Sequence, residues 1–331
     1  MPGLGAWLQN HWWRPRPSLL AHALRPLAAL YGHLSTPRGA PAEPLGLPVI
    51  VVGNLVVGGA GKTPTVIALA QWLRAEGWTP GIVSRGYGRR GDGLVVVDPA
   101  TPVAHCGDEP KLIHLRTRAP LVVGADRVAA VRRLRDVAPR VNLLLSDDGL
   151  QHHRLHRDVQ VIVFDERGAG NGLLLPAGPL RTALPEALPS NTLLLYNADA
   201  PTAPLPGALV QRRLAGVLPL ADWAAGARPR NDWAALQGRV IVAAAGIAAP
   251  PRFFSMLRAQ GLSIAELPLP DHHDYARLPW PDGTHEVIVT EKDAVKLDAA
   301  RIGGTQVWVA TLDFVLPEAF LADLRSRLPR P

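Results

Sequence analysis

The chain has a single cysteine, Cys106. That excludes an intramolecular disulfide and a zinc site built on several cysteines, and one thiol agrees with a reducing compartment. Also missing is an unbroken apolar run of the about 20 residues that a bilayer span needs. The longest N-terminal apolar stretch, residues 18–34, is interrupted by His22, Arg25 and Pro26. The first basic residues are followed by no clean apolar core with a small-residue cleavage site, so no cleavable signal is expected. No internal repeat recurs at a fixed period. Nor do aromatic and basic residues interleave into a stripe, and a nucleic-acid partner is not expected.

What is present is ample for a folded, two-domain protein. The 331 residues exceed one ordinary domain, so two are expected. An apolar share of 47% with 19% charged residues belongs to a globular chain. The 33 prolines and 31 glycines lie scattered between apolar segments, which points to many loops rather than low complexity. A net charge of +7 and a pI near 10.1 favour anionic partners: nucleotides, nucleic acid or acidic headgroups. Much of the excess is arginine, a bias that GC-rich coding would also produce.

Residues 48–65, PVIVVGNLVVGGAGKTPT, organise the rest. A buried-type strand (49–52) runs into a glycine-rich loop (53–61), and Lys62-Thr63 opens a helix. Backbone N–H groups and the positive helix end then converge on one point, to which lysine adds a full charge. This is the logic of a phosphate-binding loop. Lys62 would reach the outer phosphates and the Thr63 hydroxyl would hold Mg²⁺. The usual pattern wants glycine five residues before Gly61, where this chain has Val56, so the match is to variant loops with a GGxGK[ST] core. Val56, Val57, Gly58, Gly59, Ala60, Gly61, Lys62 and Thr63 are the expected nucleotide-binding stretch. Such loops cradle phosphates and do not read the base.

Ahead of the loop, residues 1–47 differ in character. Trp7, Trp12 and Trp13 cluster beside Arg14 and Arg16, and the apolar stretch 18–34 follows. An interfacial helix is expected, with tryptophans at headgroup depth and arginines against anionic lipid; the other reading is a helix packed on the chain's own core. Residues 37–48 read as a linker. Beyond the loop a helix is expected at 65–77, strands at 79–84 and 94–97, and a basic turn at 85–90 that closes over the site. A helix at 111–118 is opened by Asp108 and Glu109, which the helix dipole alone would favour there. A strand at 121–123, a helix at 126–136 carrying Arg127 and a strand at 141–146 follow. That strand ends in Asp147-Asp148, the placement of a residue that holds Mg²⁺ directly or through water; the alternative is a cap on the next turn. Gln151, His152 and His153 come next, and adjacent histidines do not by themselves make a metal pair. Strands at 159–164 and 193–196 complete the first stretch, and a strand at 208–213 falls in the proline- and alanine-rich connection at 201–230. Strands at 239–245, 263–267, 286–290 and 306–310, with a helix at 251–260, make the second.

The fold class expected is therefore α/β: a parallel-sheet domain like those of phosphate-loop nucleotidases (48–200), a smaller second α/β domain (201–331) and a membrane-associated N-terminal segment (1–47). Active sites of such sheets lie at the carboxyl ends of the strands, where the glycine loop and Asp147-Asp148 both fall.

Taken together, several stretches resemble one family. They are GNLVVGGAGKTP (53–64), SRGYGR (84–89), GDEP (107–110), SDDGLQH (146–152), PAGPLR (176–181), GIAAPPRFF (246–254), DHHDY (271–275) and TEKDAVKL (290–297). The combination is similar to the tetraacyldisaccharide 4'-kinases, which phosphorylate the lipid A precursor disaccharide with ATP and Mg²⁺ at the cytoplasmic face of the inner membrane. The resemblance implies a lipid disaccharide substrate and contact with the inner-membrane lipid surface. It implies Asp108 as catalytic base with a histidine of DHHDY paired to it, His272 over His273, and Lys62 on the phosphates. Thr63, Glu109, Asp147 and Asp148 would arrange Mg²⁺; Gln151, Arg127 and Arg181 would contact phosphates or substrate. One departure stands out: the family usually follows its PLR arginine with glutamate, and this chain has Thr182.

The competing expectation is a switch ATPase or GTPase acting on protein partners. Those with a signature lysine carry it just before the paired glycines, where this chain has Val57. A guanine-specific site would want Asn-Lys-x-Asp, and the nearest stretch, Thr290-Glu291-Lys292-Asp293, lacks the asparagine.

Overall fold

The computed structural model describes residues 11–35, 42 and 44–331. Trp7 and half of the expected 37–48 linker (37–41 and 43) lie outside the described residues. By contact the chain forms two compact units. Unit 1 comprises Met1–Arg85, Asp126–Gln211 and Leu316–Pro331; unit 2 comprises Gly86–Ala125 and Arg212–Val315. The contiguous division expected near residue 200 thus meets a discontinuous grouping, in which Gly86–Ala125 goes with the C-terminal half.

In chain order the strands are β1 (Val49–Gly53), β2 (Pro80–Ser84), β3 (Val95–Val97), β4 (Leu121–Val123), β5 (Leu143–Asp147), β6 (Val159–Asp165) and β7 (Thr192–Asn197). They continue with β8 (Ala208–Leu209), β9 (Gln211–Pro219), β10 (Val240–Ala245), β11 (Ser263–Pro268), β12 (Glu286–Thr290) and β13 (Gln306–Val315). The main helices are α1 (Leu19–Ala23), α2 (Arg25–Ser35), α3 (Lys62–Ala75), α4 (Asp108–Thr117), α5 (Arg127–Val137), α6 (Pro250–Ala259) and α7 (Glu318–Ser326).

Unit 1 is built on a parallel sheet in the order β2-β5-β1-β6-β7-β8. Every residue of β1, β2 and β5 is buried, which is why these strands read as continuous apolar runs rather than alternating ones. Val52 of β1 pairs with Asp147 of β5. The glycine loop and the Asp147-Asp148 turn therefore leave the same sheet edge. The α/β class is as expected, and sequence order β1-helix-β2 with parallel pairing follows the usual crossover rule.

Unit 2 carries a five-stranded sheet, β11-β10-β12-β13-β9, with β10, β11, β12 and β13 parallel. Phe253, Phe254 and Leu257 of α6 pack on Ile241, Ile288 and Ala310 to make its core. β3 and β4 form a short antiparallel pair. The strand expected at 208–213 is two strands instead, and β9 runs on to Pro219. Gly216 hides it: a side chain there would meet the Arg230 carbonyl at 2.4 Å, so the close approach of Val217 to Arg230 requires glycine.

The N-terminal apolar stretch is two helices that break at Leu24, with the Ser18 hydroxyl capping α1 by accepting from Ala21 N–H. Ala21 and Ala28 are buried, whereas Leu19, Leu27, Leu30 and Leu34 are exposed. No helix among the described residues is long and apolar enough to cross a membrane.

Candidate active site

The expected site residues fall into two constellations, one in each unit. In unit 1 the chain leaves β1 at Gly53 and re-enters regular structure at Gly61, whose φ of 96° caps α3 in a left-handed conformation. Between them the loop is tied down at nearly every residue. Val56 bridges to Leu180, and Val57 N–H donates to the Pro179 carbonyl at 2.9 Å. The carbonyls of Gly58, Gly59 and Ala60 accept from Asn54, Arg167 and Asn197. Lys62 and Thr63 occupy the first turn of α3, with Thr63 buried.

Around the Lys62 ammonium sits a small charged network. Its Nζ lies 3.3 Å from Asn54 Oδ1 and 3.5 Å from Asp148 Oδ1. Arg181 Nη2 reaches the same Asp148 oxygen at 3.0 Å and also bonds the Asn54 side chain. Gln151 Nε2 donates to the Asn54 carbonyl at 3.1 Å. Burial pushes the Asp148 carboxyl up, but the charges of Lys62 and Arg181 outweigh it and hold the group below the usual carboxylate range. Asp148 adopts a φ of 48°, a region non-glycine residues seldom enter and one common at functional sites. Arg127, at the start of α5, is buried and points its guanidinium at the carbonyls of Asp147 and Asp148, 3.5 Å from each. It braces the turn. The carboxylate of Asp147, also buried, accepts from Ser84 Oγ at 2.8 Å.

These donors suit Mg²⁺. Hydroxyl and carboxylate oxygens are the hard ligands it prefers, and with a nucleotide it needs only one or two carboxylates besides phosphates and water. Among the described residues no three His, Cys, Asp or Glu gather as a metal cage. Thr63, Asp147 and Asp148 are in unit 1. Glu109 is in unit 2, where it pairs with Lys292 at 3.3 Å.

In unit 2, Asp108 begins α4 and is 6% exposed. Its Oδ1 accepts from Glu109 N–H at 2.9 Å, and its Oδ2 lies 2.9 Å from His272 Nδ1. Lys292 Nζ lies 3.3 Å from His272 Nε2. With Lys292 donating there, the neutral ring carries its proton on Nδ1 and gives it to Asp108. His273 instead accepts from Tyr275 N–H and meets the Tyr275 ring edge-on. Burial raises the Asp108 carboxyl, yet the His272 hydrogen bond and the charges of Lys292, His272 and Lys296 prevail, so it lies below its ordinary value. The bond to Asp108 raises His272 against the opposing effects of burial and Lys292. His272, like Asp148, has a positive φ, 60°.

Four residues that sequence reasoning did not single out belong to these networks. Asn54 and Arg167 pin the glycine loop. Lys292 bridges Glu109, Asp271 and His272. Lys296, 6% exposed, stands 3.3 Å from the fully buried Asp293 and 4.0 Å from Asp108. The i,i+4 spacing of Lys292 and Lys296 was the available signal. For Asn54 the signal was an amide directly after a buried strand.

With this geometry in place, comparison with known proteins is informative. The family model for tetraacyldisaccharide-1-P 4'-kinase (LpxK) matches residues 20–329. The chain belongs to the tetraacyldisaccharide 4'-kinase family. Within the family it is 52% identical to the tetraacyldisaccharide 4'-kinase of Methylibium petroleiphilum, over 98% of this chain and 94% of that one. It is 50% identical to the enzyme of the same name from Leptothrix cholodnii, over 94% and 92%. The crystal structure of LpxK from Aquifex aeolicus in complex with ATP superposes with a TM-score of 0.76 at 25% identity, covering 94% of this chain and all of that one. This family member is thus an enzyme of the kinase class, with the α/β fold of an ATP-binding relative.

Proposed function

We propose that the chain transfers the γ-phosphoryl group of ATP to the 4'-hydroxyl of tetraacyldisaccharide 1-phosphate. The observation that carries this reading is the Asp108–His272 pair, a buried carboxylate kept ionised and fixed by an imidazole. It suits a proton acceptor for a sugar hydroxyl.

In this reading the unit 1 constellation holds the nucleotide. The loop N–H groups and Lys62 bind the β- and γ-phosphates, and Lys62 exchanges its contact with Asp148 for one with phosphate. Arg181 and Gln151 flank the same point, with Arg127 holding the Asp147-Asp148 turn in register. Thr63, Asp147 and Asp148 would hold Mg²⁺. When bound, the ion neutralises charge on the β- and γ-phosphates.

The chemistry then needs one proton moved. As the 4'-oxygen bonds to γ-phosphorus and the bond to ADP breaks, the hydroxyl proton passes to Asp108 Oδ2 or Oδ1. A sugar hydroxyl is a weak acid, so this acceptance matters mostly as the new bond forms. His272 and Lys292 keep the carboxylate aimed and ionised. The exposed Leu19, Leu27, Leu30 and Leu34 of α1 and α2 support work at a lipid surface, proposed here as the cytoplasmic face of the inner membrane.

The test is transfer of labelled phosphate from ATP to tetraacyldisaccharide 1-phosphate in neutral detergent micelles. Wild type should make the 1,4'-bisphosphate, and Lys62→Ala and Asp108→Ala should lose most of it. ATP hydrolysis at one rate with or without lipid, with no lipid product, would overturn the proposal.

A further inference from the structure

Unit 2 contains a cleft of about 400 Å³ that the proposed chemistry does not use. Arg89, Arg90 and His105 line it, together with the 98–102 turn. Neither Arg89 nor Arg90 has a carboxylate within ion-pair distance among the described residues. The one acid on the rim, Asp98, is already engaged: its Oδ1 accepts from the N–H groups of Ala100 and Thr101 and from the Thr101 hydroxyl. Beneath the rim, Lys111 is 8% exposed and gives its ammonium to the carbonyls of Asp98, Pro99 and Thr101, at 3.2, 2.7 and 2.7 Å. That charge is solvated by carbonyl dipoles and feels the Asp98 carboxylate, without an ion-pair contact among the described residues. The cleft therefore presents two guanidiniums above a buried ammonium, a field that favours a phosphate-sized anion.

Lysine usage points the same way. The chain has only four lysines among its 35 basic residues. Lys62 faces the phosphate loop, and Lys292 and Lys296 surround Asp108. The fourth is Lys111.

The cleft is also tied to the base by short covalent paths. Tyr87 packs against the His272 ring, 5.5 Å between centroids, and Arg90 lies three residues on. Arg90 N–H bonds the Ala104 carbonyl at 2.6 Å, and His105 lies three residues before Asp108. Three residues of chain span at most about 11 Å, a reach comparable to two linked hexose rings. An acceptor with its reacting hydroxyl at Asp108 would thus carry the far end of its disaccharide toward Arg89 and Arg90.

We propose that this cleft is the subsite for the anomeric phosphate of the acceptor, with Arg89 and Arg90 as its ligands and Lys111 as the fixed charge behind them. The inference rests on the acceptor named above.

The experiment compares tetraacyldisaccharide 1-phosphate with the same disaccharide lacking the phosphate, in neutral detergent micelles. Wild type and the Arg89→Ala/Arg90→Ala double variant are measured side by side, with melting curves to establish that both are folded. For wild type, KM should rise about tenfold or more when the phosphate is removed. In the double variant that difference should shrink to within about twofold, because KM for the phosphorylated acceptor has risen. Arg89→Lys/Arg90→Lys, which keeps the charge and loses the bidentate fork, should fall between the two. If the double variant loses equally on both acceptors, the subsite is wrong although the kinase reading stands. A defect seen only in vesicles with anionic lipid would assign the arginines to the membrane and overturn the subsite. Absence of transfer to either acceptor by folded wild type would sink the reading beneath it.

Discussion

The two constellations have opposite charge balances. Around the glycine loop of unit 1, two cations, Lys62 and Arg181, share one carboxylate, Asp148. Around Asp108 in unit 2, two ammoniums, Lys292 and Lys296, serve four carboxylates: Asp108, Glu109, Asp271 and Asp293. The first arrangement is short of negative charge and, in the proposed reaction, would be completed by an arriving phosphate. The second has negative charge to spare and, in the proposed reaction, would be completed by an arriving proton.

The contrast can be tested from its strongest consequence downward. Asp108→Asn removes the proposed proton acceptor but keeps the shape, and phosphoryl transfer should fall roughly 10³-fold while calorimetric ATP affinity holds. A parallel loss of ATP affinity would mean that the two constellations are not separate in function. Lys296→Met leaves the fully buried Asp293 without its ammonium. Urea unfolding should register a loss of about 3 kcal/mol, the scale for stripping one partner from a buried pair. A loss near zero would place Lys296 outside the charge balance of unit 2.

Smaller effects sharpen the picture. Asp148→Asn releases Lys62 and Arg181, so ATP without metal should bind about threefold to tenfold tighter, while Mg²⁺-dependent transfer drops. Weaker metal-free binding would show that Asp148 organises the loop rather than opposing its charge. The smallest effect concerns pH. His272 titrates above its ordinary value, so the stability it contributes is whole below about pH 6.5 and fades as pH rises through its raised value. Asp108, held low, stays ionised across that window. The melting deficit of His272→Gln should therefore be larger near about pH 6 than near about pH 9, and a deficit that grows with pH would refute the pairing.

How much of this was legible depended on how local the cause was. The glycine loop could be read because strand, turn and helix start are adjacent in sequence and the geometry follows from them. The same holds for the aspartates ending β5. Asn54 was not legible as a site residue. Its worth comes from Arg181 and Lys62 meeting on one amide oxygen, and Arg181 is 127 residues away. Lys296 follows the short helix Glu291–Ala294, and its spacing from Lys292 does not show that Asp108 lies within 4.0 Å. The second half of β9 was lost because Ala215-Gly216 reads as a break, whereas the glycine serves close strand approach. Gly86–Ala125 shows the limit most plainly. Its elements could be read in order, but which compact unit a segment joins is decided by non-local contacts that no local pattern carries.

Asp148 and His272 share one trait with a practical consequence. Both hold a left-handed backbone that an ordinary side chain enters at a cost of about 1–2 kcal/mol. Someone engineering a more heat-resistant chain would be drawn to glycine at both positions, since it removes that cost. At these two places the proposed reaction predicts that the gain would be taken from turnover, because it uses the side chain being discarded.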